Sequence, residues 1–384
     1  MTSVKIIPEK NVIDDGFLDL IGREFVTHEK GLAEWLKNAA DAILAAGLTS
    51  GSETIFLHFT DQRRGKSLVF ECIDFVGMTL EEIERAFKPW GRLSWSDKSR
   101  GTYGGYGIGG KFYMRQMFAS SYLITFSQGL LSVFGFDQNH AYGYAQGHKN
   151  QSMDPQEALS FAGIEPFADL AGVKEALVKG KRGFSVVRGI GPRGVGRPID
   201  VESLCGRLRN DPQAQGPLKS HRVCVMHNTM VVLERLRPRS IPRKPGFERP
   251  WVRRIPSVIP PVNPEGGIVR RSQDAKSAGA LRLFVSSESL IQRGKMASLN
   301  RIDFLGSDGI IASYRLDELG VDVPWGEFIF GECILSRLDH SKEHSGKKTR
   351  DRLIDSPESR ALLRWVGAQV TDFSRMIQSK ASEQ

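Results

Sequence analysis

The chain is poor in cysteine. It has four in 384 residues, at positions 72, 205, 224 and 333, and no two have the spacing of a redox pair or a zinc site. That excludes a disulfide-stapled or zinc-held fold and leaves the thiols as small buried apolar groups. No apolar run approaches the roughly 20 residues that a bilayer span needs. The first ten residues, MTSVKIIPEK, contain no apolar signal core. The expectation is therefore a cytoplasmic protein with no membrane partner. Eight histidines are scattered, and the i, i+4 pair His340 and His344 falls in a polar stretch that reads as a loop, not a metal site. There is no internal repeat, and no aromatic ladder or groove-reading motif for recognising bases.

What remains is an ordinary globular composition, 40% hydrophobic and 25% charged, in a chain long enough for two domains. The formal net charge of +9 favours anionic partners.

Periodicity predicts helices over 13–22 and 29–46, the second stopped by Gly47. Strands are expected at 53–60 and 67–73, joined by a turn at Asp61–Gly65. Thr79-Leu-Glu-Glu82 is a capping box opening a helix to about Phe87. Residues 91–110, rich in Gly, Ser and charge, read as a long loop of the functional or mobile kind. A helix from Lys111 to about Ser120 follows, then strands at 121–127, 130–136, 141–146 and 183–189, and a hairpin over 222–234 turning at His227-Asn228. Eight of the 18 prolines lie between Pro238 and Pro264, where arginines also crowd (Arg235, Arg237, Arg239, Arg243, Arg249, Arg253, Arg254), so this reads as an extended linker or arm. Strand-like runs occupy 280–335, and 357–378 is helical. The mixture is an α+β fold with a largely antiparallel sheet, not a doubly wound one. The expected division is 1–236 for a first domain with a lid-like loop at 88–110, 237–275 for the arm, and 276–384 for a second α/β domain.

Four elements carry chemistry. The first is Glu34-Trp-Leu-Lys-Asn38-Ala-Ala-Asp41-Ala42, which places Glu34, Asn38 and Asp41 on one face of a helix. Three polar side chains buried on such a stripe would need partners, because an unpaired buried carboxylate is costly. Magnesium-bound nucleotide is one such partner. Asn38 can give its amide oxygen to Mg²⁺, and Glu34, one turn earlier, can orient and deprotonate a water. The second is Asp74-Phe-Val-Gly77-Met78 at a strand end. Here Asp74 can accept from an exocyclic adenine amine, and Gly77 allows close backbone approach. The third is Gly104-Gly-Tyr106-Gly107-Ile108-Gly109-Gly110-Lys111, leading into a helix. Its free N–H groups and the helix N-terminus suit phosphates, and Lys111 adds a point charge. The fourth is the strand at Gly183-Phe184-Ser185.

In this order the motifs resemble those of the GHKL superfamily, the Bergerat-fold ATPases such as gyrase, the ninety-kilodalton heat-shock chaperones, MutL, histidine kinases and MORC proteins. Glu34-x-x-x-Asn38-Ala-x-Asp41-Ala42 looks like the N box, and Gly104-x-Tyr106-Gly107-x-Gly109-x-Lys111 is similar to the lid motif of the MORC branch. Gly77-Met78-Thr79 looks like the segment after the adenine-binding aspartate. The resemblance covers roughly residues 20–190. It implies a two-layer α/β sandwich, ATP and Mg²⁺ as cofactors, and a transducer-like second domain, whose phosphate-reaching lysine would be Lys295, Lys347 or Lys348. It implies Asp41 as a ribose-side or supporting partner. The Asp74–Gly77 motif departs from the family by one missing residue and a missing glycine. Where the family has a threonine after the strand glycine, this chain has Phe184, with Ser185 offering the hydroxyl one position later. Glu34 resembles the hydrolysing branch, not the kinases.

The function expected on this basis is a slow ATPase switch that homodimerises when ATP is bound, with an arginine-rich arm suited to clamping DNA or RNA irrespective of sequence. A nucleotide-sensing module without hydrolysis and a chaperone-like ATPase with an unknown protein client are the alternatives.

Overall fold

The computed structural model describes residues 5–8, 27–49, 51–61, 67–90, 109–196, 198–256, 279–291, 298–306, 309–335, 352–353 and 355–382. The expected helix 13–22, the turn after Asp61, most of the expected lid, and Lys295, Lys347 and Lys348 lie outside them. The described residues form two compact units, Met1–Pro238 and Arg239–Gln384.

The first unit starts with β1 (Ile6–Pro8) and α1 (His28–Ala45). Helix α1 forms because Leu32, Ala33, Leu36, Ala39, Ala40 and Ile43 recur at helical spacing, and all of them are buried. It stops at Gly47 (φ +68°) in a Schellman arrangement. There Leu48 N–H donates to the Ile43 carbonyl (3.1 Å) and Gly47 N–H to that of Leu44 (3.0 Å). Strands β2 (Thr54–Thr60) and β3 (Val69–Asp74) follow. Helix α2 (Leu80–Glu82) opens with the expected capping box and runs into a π-turn over Ile83–Phe87. Helix α3 is Gly109–Met117. It begins two residues earlier than the sequence suggests and ends earlier too, because Phe118 and the residues after it pair in β4 (Phe118–Ser127). Strands β5 (Leu130–Phe136), β6 (Tyr142–Ala145) and β7 (Gln151–Ser152) are succeeded by helices α4 (Pro155–Ala162), α5 (Glu165–Leu170) and α6 (Lys174–Val178). The unit is completed by β8 (Phe184–Pro192), α7 (Val201–Asn210), α8 (Gln215–Ser220), β9 (Arg222–His227) and β10 (Met230–Leu233).

The strands make one sheet in the order β1-β6-β5-β4-β8-β3-β2-β9-β10, with β7 on β5. Every pairing is antiparallel except β2 with β9. This is the mixed, mostly antiparallel sheet expected. Because strand side chains alternate, Ile55, Leu57 and Phe59 meet α1, α3, α7 and α8 on one face, while Phe56 faces the other core with α4–α6. The short helices α4–α6 thus add a layer on the far face. On that face Glu71 is buried. Burial alone would raise its pKa, but the Arg188 guanidinium and the His58 ring beside it hold it at about 2. Arg188 also donates to the Ala162 carbonyl, tying the sheet to α4.

The second unit contains β11 (Trp251–Arg254), β12 (Ala280–Val285), β13 (Arg301–Gly306), β14 (Gly309–Arg315), β15 (Ile329–Ile334) and α9 (Pro357–Ser382). The sheet order is β11-β12-β15-β13-β14. Helix α9 buries Leu362, Val366, Val370, Phe373 and Ile377 in one stripe, and they share a core with Leu281, Leu283, Ile302, Phe304 and Cys333. The stretch read as an arm therefore includes an edge strand of this sheet. Trp251 stacks on Phe373 (5.2 Å between centroids), and Val252, Arg253 and Arg254 stay exposed.

Candidate functional site

Helix α1 sets Glu34, Asn38 and Asp41 on one side, as the spacing predicts. The stripe is not buried, which corrects the sequence reading. Asn38 is exposed, and Glu34 and Asp41 are half-buried. The buried polar group is Lys37, only 3% exposed. Its ammonium pairs with Glu34 Oε1 and donates to Gln213 Oε1 at 3.2 Å. A lysine this deep is tolerated because both contacts replace lost water.

The start of α3 lies against this stripe. A Cβ on Gly109 would fall 2.6 Å from both Cδ and Oε2 of Glu34, and one on Gly110 would fall 2.9 Å from Asn38 Nδ2 and 3.4 Å from Trp35 Cδ1. Trp35 Nε1 donates to the Gly110 carbonyl (3.4 Å). Only glycine allows the two helices this close approach. The Gly109 end of α3 sets the positive pole of its dipole beside Glu34 and Asn38, which favours an anion there. Gly104, Tyr106, Gly107 and Ile108 fall outside the described residues.

Lys111 does not present its ammonium to that stripe, which differs from the expected phosphate contact. It is 2% exposed and donates to the carbonyls of Phe87 (2.8 Å) and Pro89. Its ammonium lies 5.1 Å from the Trp90 ring centroid. Burial lowers its pKa to about 7. Tyr142 Oη reinforces the arrangement by donating to the Lys88 carbonyl (3.1 Å). The hydrophobic reason is local: Trp90 sits among Phe112, Phe136 and Tyr142.

Asp74 ends β3 as expected and is buried. Desolvation, opposed by the backbone N–H groups of Val76 and Gly77, pushes its pKa up to about 7. Its strand partner is Ser185 on β8. Gly77 (φ +83°) turns the chain so tightly that a Cβ there would lie 2.3 Å from the Phe126 carbonyl and 3.0 Å from Gly183 Cα. Met78 N–H donates to Thr125 Oγ1 (2.7 Å), which in turn lies 3.1 Å from Ser185 Oγ and donates to the Phe184 carbonyl (3.0 Å). The hydroxyl of Ser185 thus joins Thr125 in a buried pair behind the Asp74–Met78 turn.

Chemically, the first unit carries two sets of groups. Glu34 and Asn38 with the glycine-started helix suit a charged, metal-chelated phosphate chain. Asn38 supplies one hard oxygen, and Mg²⁺ takes few protein ligands when phosphates and waters supply the rest. Among the described residues no cluster of three or more His, Cys, Asp or Glu could hold a metal by itself. Asp74 with the Gly77 turn suits a flat group with an N–H donor. Sequence reading missed Lys37, Gln213 and Thr125. Thr125 carried a signal, as a hydroxyl in the middle of an apolar strand. Gln213 carried none, since it is remote from Lys37 in sequence.

No protein-family model matches the chain, and no curated protein matches it. Among solved structures it is similar to the ATPase region of Saccharomyces cerevisiae topoisomerase II, with 12% identity and a TM-score of 0.42, over 99% of this chain and 92% of that one. A likeness of that degree leaves the function to be argued from the side chains.

Proposed function

We propose that the chain binds ATP with Mg²⁺ and hydrolyses it, as a GHKL-type switch. The observation that carries this is the approach of α3 to α1: the Glu34 carboxylate and Asn38 amide lie against a helix start that only Gly109 and Gly110 allow so close. Asn38 holds the metal, which when bound neutralises phosphate charge. Glu34 takes a proton from the attacking water through its carboxylate. The first-turn N–H groups of α3 hold phosphate oxygens. Asp74, in its ionised form, accepts from the exocyclic amine of adenine, with Gly77 making the tight turn against the Phe126 carbonyl and Ser185 and Thr125 fixing it. Asp41 supports the ribose side.

The test is single-turnover hydrolysis. Glu34→Ala is expected to bind ATP and to lose about 10²- to 10⁴-fold in rate, the range for a general base. Equal rates in wild type and variant refute the role. A second reading, a nucleotide sensor without useful hydrolysis, is favoured by one observation: the pairing of Glu34 with Lys37 occupies one carboxylate oxygen. ATP-gated dimerisation and sequence-indifferent binding of DNA or RNA complete the proposal. The nucleic-acid surface in this reading is the exposed group Arg249, Arg253 and Arg254 of the second unit.

A further inference from the structure

We infer that Lys37, held by Gln213, is the positioning residue for the Glu34 carboxylate. The inference rests on the reading of Glu34 as the base.

Lys37 precedes Asn38 on α1, yet its side chain runs the other way, toward the 3-10 turn Pro212–Ala214. That turn is itself fixed, because Asp211 caps it by accepting from Gln213 N–H at 2.8 Å. From that turn the Gln213 amide oxygen accepts one N–H of the Lys37 ammonium at 3.2 Å. A second N–H donates to Glu34 Oε1. With Lys37 only 3% exposed, water cannot compete for this contact as it does at a surface pair.

The consequence is a difference between the two carboxylate oxygens. Oε1 is committed to Lys37, and Oε2 faces Gly109. A free glutamate on a helix samples many rotamers. Here the chain from Asp211 through Gln213 and Lys37 selects one, and it leaves a single oxygen toward the start of α3. A water bound there meets one acceptor in one direction, which is the geometry that proton transfer requires. The Lys37 ammonium is spent on Gln213 and Glu34 Oε1, so it acts through Glu34.

The experiment compares Lys37→Met, Lys37→Arg, Gln213→Leu and Glu34→Gln with wild type in steady-state hydrolysis and ATP-binding titrations, on samples with unchanged circular dichroism. Lys37→Met is expected to lower kcat by about ten- to a hundredfold, the scale of a misplaced catalytic group, with KM and ATP affinity within about twofold of wild type. Lys37→Arg, which keeps the charge and the donor, restores most of kcat. Gln213→Leu falls between, and it takes the place of Lys37→Met should that variant fail to fold. Lys37→Met or Gln213→Leu with wild-type kcat overturns the positioning role, as does a fall in kcat that Lys37→Arg does not rescue. If Glu34→Gln also hydrolyses normally, the base assignment falls with it; if Glu34→Gln is inactive, only Lys37 is refuted. A crystal structure of Lys37→Met in which Oε2 still faces Gly109 overturns the inference whatever the hydrolysis rate, and one in which the carboxylate has rotated away supports it.

Discussion

Lys111→Met isolates a buried charge whose consequences can be worked in advance. In the folded chain the ammonium is 2% exposed and burial brings its pKa from 10.5 to about 7. In the unfolded chain it titrates at its ordinary value. Between these two values the unfolded state binds more protons than the folded state, so stability rises with pH. The full shift is worth about 5 kcal/mol at 1.36 kcal/mol per unit, and the part developed between pH 7 and pH 9 is about 2 kcal/mol. Methionine fills the same space without charge. At pH 7 the variant loses the donors to Phe87 and Pro89, a loss of about 1–3 kcal/mol, but it also sheds the penalty of burying an ion, so the net change is expected to be under about 2 kcal/mol. At pH 9 the wild-type amine is neutral in the folded chain, still donates, and has shed about 2 kcal/mol of that penalty. Urea unfolding at both pH values should therefore show wild type gaining about 2 kcal/mol over Lys111→Met as pH rises. Other lysines and tyrosines titrate alike in both proteins and cancel. Parallel pH dependence in the two would refute the placement of Lys111 beneath Trp90.

Other expectations are simpler. Gly77→Ala forces a side chain into a positive-φ turn and against the Phe126 carbonyl, 2.3 Å from the new Cβ. A loss of more than about 2 kcal/mol should appear as a lower melting temperature, and an unchanged melting temperature contradicts the backbone contact. Asp74 has a pKa raised to about 7, and its ionised form is the acceptor. ATP affinity measured by calorimetry should fall up to tenfold per pH unit below 7 and level off above it, while Asp74→Asn binds weakly with no such slope. The same raised pKa makes the folded state the stronger proton binder, so its contribution to stability declines as pH rises from about 4 to 7. Duplex DNA binding should weaken steeply with salt. Charge reversal at Arg253 and Arg254 should flatten that slope, and no binding at low salt, with or without an ATP analogue, removes nucleic acid from the proposal.

Much of the fold was legible because it is local. The period of α1, the Schellman stop at Gly47, the Thr79 capping box and the strand alternation of β2 are each set within a few residues. The boundaries of α3 were not, because glycine disfavours helix on propensity alone. Glycine stands at 109 and 110 because larger residues would collide with Glu34 and Asn38, a tertiary reason. The short helices α4–α6 have too few turns to show a period. In the site, the shared face of Glu34, Asn38 and Asp41 was readable from helix geometry, but its exposure was not, since that depends on what stands opposite. Lys111 followed a glycine run and so read as a phosphate ligand, and only packing reveals the carbonyls that accept its hydrogen bonds.

The parallel neighbour of β2 has a consequence for how the chain is made. Thr54 pairs with Arg222, so 168 residues emerge from the ribosome before that edge of the sheet is covered. At roughly 5–20 residues per second the wait is on the order of 10–30 s. Throughout it β2 has an open hydrogen-bonding edge and shows Ile55, Leu57 and Phe59 on a face whose covering helices α7 and α8 are also unmade. Such an edge invites pairing with another chain. In the nascent chain that edge is open to wrong pairing until β9 is synthesised and closes it.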